Sequence, residues 1–185
     1  MNVKSLRPRK PLRLATLALA CLLLAGLLLA EARLPDPALQ QPVRGASSRD
    51  WHPDSFWHPN WGASGVHKGI DIFAPSGTAV TAAQAGLVLY RGTLGQGGNV
   101  VLALSPRGWL NYYAHLDRAQ SQAGAWLEAG APIGLVGASG NARGKAPHLH
   151  FSTMSLLPKV TEYRFGVQGW KRMFYRNPGE LIRQP

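Results

Sequence analysis

The sequence predicts an all-β domain, a single antiparallel β-sheet or sandwich, preceded by one apolar helix at the N-terminus. Three observations carry that prediction. From Val66 onward the apolar residues come in short runs cut by turn residues. Glycine (21) and proline (14) are abundant and stand between those runs, which suits strands joined by turns. Outside the N-terminus no stretch keeps helical periodicity for more than about two turns. A chain of 185 residues has room for one domain of ordinary size with its own core. With 45% hydrophobic and 16% charged residues it is not a disordered polyelectrolyte.

The N-terminus sets the compartment. Lys4, Arg7, Arg9, Lys10 and Arg13 precede the uncharged apolar run Leu14 to Ala30, and Ala30-Glu31-Ala32 offers small residues where a signal peptidase reads. Residues 1–32 are therefore expected to be a signal peptide cut after Ala32 or, uncleaved, an anchor crossing the membrane through residues 14–30. In both cases the chain from residue 33 is exported, because the basic cluster stays inside. Cys21, the single cysteine, lies within the apolar run, so the exported part has no disulfide to staple it. The five N-terminal bases and Glu31 leave fifteen bases against eight acids beyond residue 32, a charge of +7. That excess suits an anionic polymer or surface. Export and the lack of any recognisable module exclude nucleic acid as the partner.

Residues 33–50, rich in Pro, Gln, Arg and Ser, read as a linker, and 51–185 as the domain, with a core at 66–152. The domain opens on an aromatic, proline-rich segment holding Trp51, Trp57 and Trp61, which either anchor on the core or stack on sugars. Strands follow at Ala79–Ala83, Gly86–Tyr90, Asn99–Ser105, Leu110–His115, Pro132–Val136 and His148–Ser155. The Gly95–Gly98 cluster, Gly130 and the Gly137–Gly144 stretch supply turns between them. Met154 to Tyr175 has little pattern, and Asn177-Pro178 opens a short tail.

Six histidines lie in the exported part, and four of them stand in chemically pointed contexts. In His148-Leu149-His150 a strand turns both imidazoles to one side, since residues i and i+2 share a face. His67 and Asp71 are four apart, yet Gly69, Ile70, Ile72 and Pro75 argue against a helix; a strand with a bend at Gly69 can aim both into one cleft. His115 closes the Tyr112-Tyr113-Ala114-His115 run. Two imidazoles and a carboxylate are a set that suits a catalytic zinc with one position left for water. His52 and His58 read as solvated or proline-packed side chains.

His67-Lys68-Gly69-Ile70-Asp71, Tyr113-Ala114-His115-Leu116 and Pro147-His148-Leu149-His150-Phe151 resemble, in order, the motifs of the lysostaphin/LytM-type zinc endopeptidases of the bacterial cell wall. Ala74 to Val80, Ala85 to Val88, Gly97 to Val101 and Gly134 to Asn141 are similar to the same family, so the resemblance spans about residues 66–152. It implies one zinc per chain held by His67, Asp71 and His150, with His115 and His148 as the catalytic histidines. It implies hydrolysis of peptide cross-links of peptidoglycan. A short chain behind a signal or anchor, with no recognisable wall-targeting module, suits a D,D-endopeptidase that is periplasmic or anchored in the inner membrane facing the periplasm. A glycine-bridge specificity suits a different kind of wall. His148 is then the general base and His115 the oxyanion stabiliser, an order the sequence leaves reversible. The other class the resemblance brings is a non-catalytic LytM-like regulator that activates another wall hydrolase; such members typically lose metal ligands, and this chain keeps all five residues. Two departures stand out: Gly144-Lys145-Ala146 replaces a tighter Thr-Gly before Pro-His-Leu-His, and Ser152 stands where glutamate is common.

Overall fold

A computed structural model describes residues 10–61 and 64–182. Helix α1 (Lys10–Arg33) takes in the apolar run. Twelve strands follow: β1 (Pro59–Trp61), β2 (Gly65–Val66), β3 (Ile70–Phe73), β4 (Ala79–Thr81), β5 (Gly86–Leu94), β6 (Gly98–Leu104), β7 (Trp109–Leu116), β8 (Arg118–Ala119), β9 (Trp126–Leu127), β10 (Pro132–Leu135), β11 (His148–Ser155) and β12 (Tyr175–Arg176). A single helical turn, α2 (Pro178–Leu181), is the last element among the described residues. All six strands expected from the sequence form, and every pairing within the sheets is antiparallel. The all-β class holds. Among the described residues no helix is long and apolar enough to cross a membrane.

The principal sheet runs β12-β11-β7-β6-β5-β9, with β3 pairing β11 beside β12. Strand β11 is its axis. One edge pairs with β7 from His150↔Ala114 to Ser155↔Trp109. The other edge takes β3 along its first half, His148↔Phe73 to Phe151↔Ile70, and β12 along its second. A smaller sheet, β4-β10-β8, packs alongside. Alternation sorts the side chains: Leu149 and Phe151 of β11 and Ile70 and Ile72 of β3 enter the core, joined by Tyr113, Leu116, Val80, Val101, Ile133 and Val136. The buried Tyr113 hydroxyl accepts a hydrogen bond from the Ala83 amide at 2.9 Å.

One expectation needs correcting. Residues 33–50 are not a free linker from end to end. Leu39 and Val43 are fully buried in the core, Leu39 bridges Ile182, and Val43 bridges Val80. Backbone bonds from Gln40 to Ala83 and from Arg44 to Ala79 fasten the stretch along the small sheet. The polar composition hid two apolar residues four apart, Leu39 and Val43, which an isolated reading cannot tell from linker filler.

Candidate active site

The site lies on the face of the β3–β11–β7 ladder opposite the core. Asp71 and Phe73 of β3 and His148 and His150 of β11 project there, and Asp71 stands directly across from His150 in register. Glycine at 69 is what lets β3 approach: a Cβ at that position would lie 2.3 Å from the Phe151 carbonyl oxygen, a contact no side chain permits. The bend expected at Gly69 is thus a close backbone crossing.

His115 reaches the same face by a different device. On β7, Leu110, Tyr112 and Ala114 line the groove, so strict alternation would turn residue 115 inward. The pairing with β6 slips between Asn99↔Leu116 and Val101↔Tyr113, giving β7 one extra residue. His115 sits in that bulge with φ at +61°, a left-handed conformation that re-aims its ring. It ends 5.0 Å from the His148 ring and 6.0 Å from that of His150, centroid to centroid.

Three of the four imidazoles are oriented by the backbone. His67 Nδ1 donates to the Ser55 carbonyl at 3.0 Å, His115 Nδ1 to the Ser139 carbonyl at 2.9 Å, and His148 Nδ1 to the Ala146 carbonyl at 2.8 Å. A carbonyl oxygen only accepts, so in all three rings Nδ1 carries a proton, and in the neutral tautomer Nε2 is the nitrogen with the lone pair. Trp61 stacks on His67 with centroids 4.2 Å apart and planes 25° apart. The three remaining donor atoms converge: His67 Nε2 to Asp71 Oδ1 is 3.1 Å, His67 Nε2 to His150 Nδ1 is 3.0 Å, and His150 Nδ1 to Asp71 Oδ1 is 2.8 Å.

That triangle fits a metal. A tetrahedral ion with bonds of about 2.0–2.1 Å has ligand-to-ligand edges of about 3.3–3.4 Å. The donor atoms therefore need to part by only a few tenths of an ångström. Burial pushes the Asp71 carboxyl up, but the hydrogen bond it accepts from His150, with the His67 ring alongside, holds the group well below the usual carboxylate range, so it is ionised. Burial pushes His150 down against the pull of Asp71. Burial, reinforced by His150 and His148, pushes His115 down to about 4. An anionic oxygen and neutral ring nitrogens are the protonation states that ligation requires.

The cluster floors an open groove of about 890 Å³. All five sequence-predicted residues, His67, Asp71, His115, His148 and His150, line it. His52 and His58 do not: each is exposed, His52 Nδ1 accepting from the Asp54 amide and His58 Nδ1 donating to the Pro59 carbonyl. The tryptophans divide. Trp51 is in the core cluster and Trp57 packs on Phe56 and Tyr175, while Trp61, partly exposed, borders the groove. Sequence reasoning missed the carbonyls of Ser55, Ser139 and Ala146 and the groove position of Tyr112, whose ring edge faces His150 at 6.1 Å. Backbone acceptors leave no mark in a sequence. Tyr112 had one, its alternation with Leu110 and Ala114.

An antiparallel β scaffold with a His/Asp donor set and two further imidazoles in an open groove defines the class, a β-built protein with a site fit for a metal. The particular family follows from comparison. Residues 65–160 match the model of peptidase family M23, and the chain belongs to that family. It is 40% identical over 94 residues to the DD-carboxypeptidase/endopeptidase Mpg of Neisseria meningitidis, covering 51% of this chain and 21% of that protein. It is 34% identical over 94 residues to the peptidoglycan DD-endopeptidase ShyC of Vibrio cholerae, again 51% and 21%. Its fold superposes on the catalytic domain of lysostaphin from Staphylococcus simulans with a TM-score of 0.55 at 27% identity, covering 71% of this chain and 91% of that domain. The matched stretch spans about a fifth of the length of those two curated relatives.

Proposed function

We propose that this protein is an exported zinc metallo-endopeptidase that cuts D,D cross-links of peptidoglycan, holding one zinc per chain through His67, Asp71 and His150. The observation that carries the reading is the convergence of those three ligand atoms within hydrogen-bonding distance of one another. Two Nε2 lone pairs, of His115 and His148, are presented beside the cluster. Relatives named DD-endopeptidase support the substrate class.

A divalent zinc bound there supplies charge to polarise a carbonyl and to acidify a water. The chain's own residues do the rest. The long groove lays an extended peptide along the β11 ladder, with the scissile amide over His150 and Asp71. His148 Nε2, the ring nitrogen left open by the Nδ1 bond to Ala146, takes the proton of the attacking water and returns it to the leaving amine. Its approach to Asp71 Oδ2, 3.9 Å away, steadies the imidazolium formed in between. His115, neutral at pH 7, is the second imidazole and steadies the developing oxyanion from the bulge side. In this reading residues 1–32 serve as the export signal or anchor and the groove works in the periplasm.

The test is digestion of purified sacculi by the chain supplied with zinc, followed by mass analysis of the muropeptides. Cross-linked dimers should fall and monomers rise, with glycan strands intact; cleavage between sugar and stem peptide would make the protein an amidase instead. No cleavage, together with stimulation of an added hydrolase, would make it a regulator.

A further inference from the structure

The groove holds two cations that the cleavage mechanism does not use. Lys68 and Lys145 both line it, and the one acidic side chain in the lining, Asp71, is committed to His67 and His150. Among the described residues neither lysine has an acidic partner; the basic side chains that do are Lys159, Arg164 and Arg176, all elsewhere. Lys68 reaches only the Ser64 carbonyl, at 3.4 Å. It is half-buried. A partly desolvated ammonium without a counter-charge is a costly arrangement unless something anionic completes it. The rest of the wall is largely apolar or aromatic, with Leu94, Leu102, Leu110, Tyr112 and Met154. In such a groove the few charged groups fix what binds.

Their placement is as telling as their charge. The β3–β11 ladder runs from Ile70↔Phe151 to Phe73↔His148, with Asp71↔His150 inside it. Lys68 precedes β3 and Lys145 precedes β11. Because the strands are antiparallel, the two lysines flank opposite ends of the ladder, with the donor cluster between them. Lys145 also occupies the segment that departs from the family pattern before Pro147.

We propose that Lys68 and Lys145 form two carboxylate-binding subsites, one at each end of the groove, that select cross-links bearing free carboxylates on both sides of the scissile amide. The proposal rests on the endopeptidase reading and names the charge of its substrate. In a cross-link whose amine component is a diamino-diacid with its adjacent carboxyl unsubstituted, the carbon next to the amide nitrogen carries a free carboxylate. A diamino-diacid on the acyl side leaves a second. A glycine bridge has neither and would leave both ammonium groups unpaired. The groove is thus matched to an acidic cross-link and matched against a neutral one.

Two muropeptide dimers decide it, one cross-linked through diaminopimelate with free carboxylates and the same dimer with those carboxylates amidated. The full chain in detergent, loaded with zinc, is assayed for kcat/KM, and its His115→Ala form is titrated with each dimer by calorimetry. The wild-type side chains should favour the free acid about tenfold in both readouts. Lys68→Gln should erase most of that preference, lowering the free-acid value about tenfold and leaving the amidated one within about twofold. Lys145→Gln, at a more exposed position, should do the same on a scale of about threefold. Lys68→Arg should keep the preference, which separates charge from packing, and near-UV circular dichroism checks that each variant is folded. Equal binding of the two dimers, binding of neither, or equal losses for both on Lys68→Gln overturns the proposal. Preferential binding without cleavage of either dimer would instead remove the endopeptidase reading and leave the subsites standing.

Discussion

The ladder and the loops around it hold the same site by opposite means. Strands β3, β7 and β11 fix the Cα positions of Asp71, His115, His148 and His150 through paired backbones. The loops fix the rings: Ser55 orients His67, Ser139 orients His115 and Ala146 orients His148. A ligand whose Cα is held but whose ring is free spends binding energy on ordering the ring. One held at both ends is ready. Substitutions of the donor and proton-carrying side chains should therefore abolish the chemistry, and substitutions of the loop residues that orient them should tune it.

The largest effect belongs to the ligands. His67→Ala, Asp71→Ala and His150→Ala should each remove zinc from the purified chain and with it all measurable hydrolysis, while the parent holds one zinc per chain by elemental analysis. Full zinc content in any of the three would break the assignment of that residue to ligation.

Next come the imidazoles outside the triangle. His115→Ala and His148→Ala should keep zinc and lower kcat by roughly 10²–10⁴, the range of a general acid–base group. Loss of metal in either variant would place that residue among the ligands.

Third is the seam where ladder meets ladder. Gly69→Ala forces a Cβ to within 2.3 Å of the Phe151 carbonyl oxygen. Either β3 separates from β11 or the strand pair distorts, at a cost of about 2–4 kcal/mol. Thermal unfolding of the zinc-loaded chain should show a lower Tm, with zinc affinity falling alongside, because Asp71 moves with β3.

A loop substitution should be milder. The Ser139 hydroxyl donates to the Leu116 carbonyl at 2.7 Å and accepts from the Asn99 amide at 2.9 Å, clamping the segment whose carbonyl orients His115. Ser139→Ala removes the clamp and leaves the Asn99 amide without that acceptor, while the carbonyl that His115 uses remains. We expect kcat to fall about tenfold with KM and zinc content unchanged. A change confined to KM would mean that Ser139 shapes the groove rather than the ring.

The same contrast explains what was legible in advance. The i, i+2 spacing of His148 and His150 and the short apolar runs declare the ladder, because alternation is written residue by residue. His115 did not declare itself by pattern. Alternation from Tyr113, a core residue, would send it inward, and only the bulge at Ala114–His115 reverses that. The resemblance to wall peptidases supplied it where periodicity could not. The core role of Leu39 and Val43 was hidden for a related reason: their partners, Ile182 and Val80, lie far away in sequence. Carbonyl acceptors are supplied by every residue type, so no residue choice at 55, 139 or 146 announces them.

The smallest expected effect tests the loop side of the comparison most finely. Trp61 lies over His67 with its ring 25° from parallel, yet 41% of the residue is exposed at the groove edge. It bonds to no donor atom of the triangle, so its contribution is to restrict the His67 ring and shield one face from water. Stacking of this kind is worth about 0.5–1.5 kcal/mol, or roughly two- to tenfold in an equilibrium constant. Trp61→Ala should weaken zinc binding by that factor in competition with a chromogenic chelator, and Trp61→Phe should restore most of it. Since the Ser55 carbonyl still holds Nδ1 in the right tautomer, the residual zinc-bound fraction should turn over at the parental kcat. A loss of kcat at saturating zinc would show that Trp61 touches substrate, and the loop would then belong to the groove as much as to the metal site.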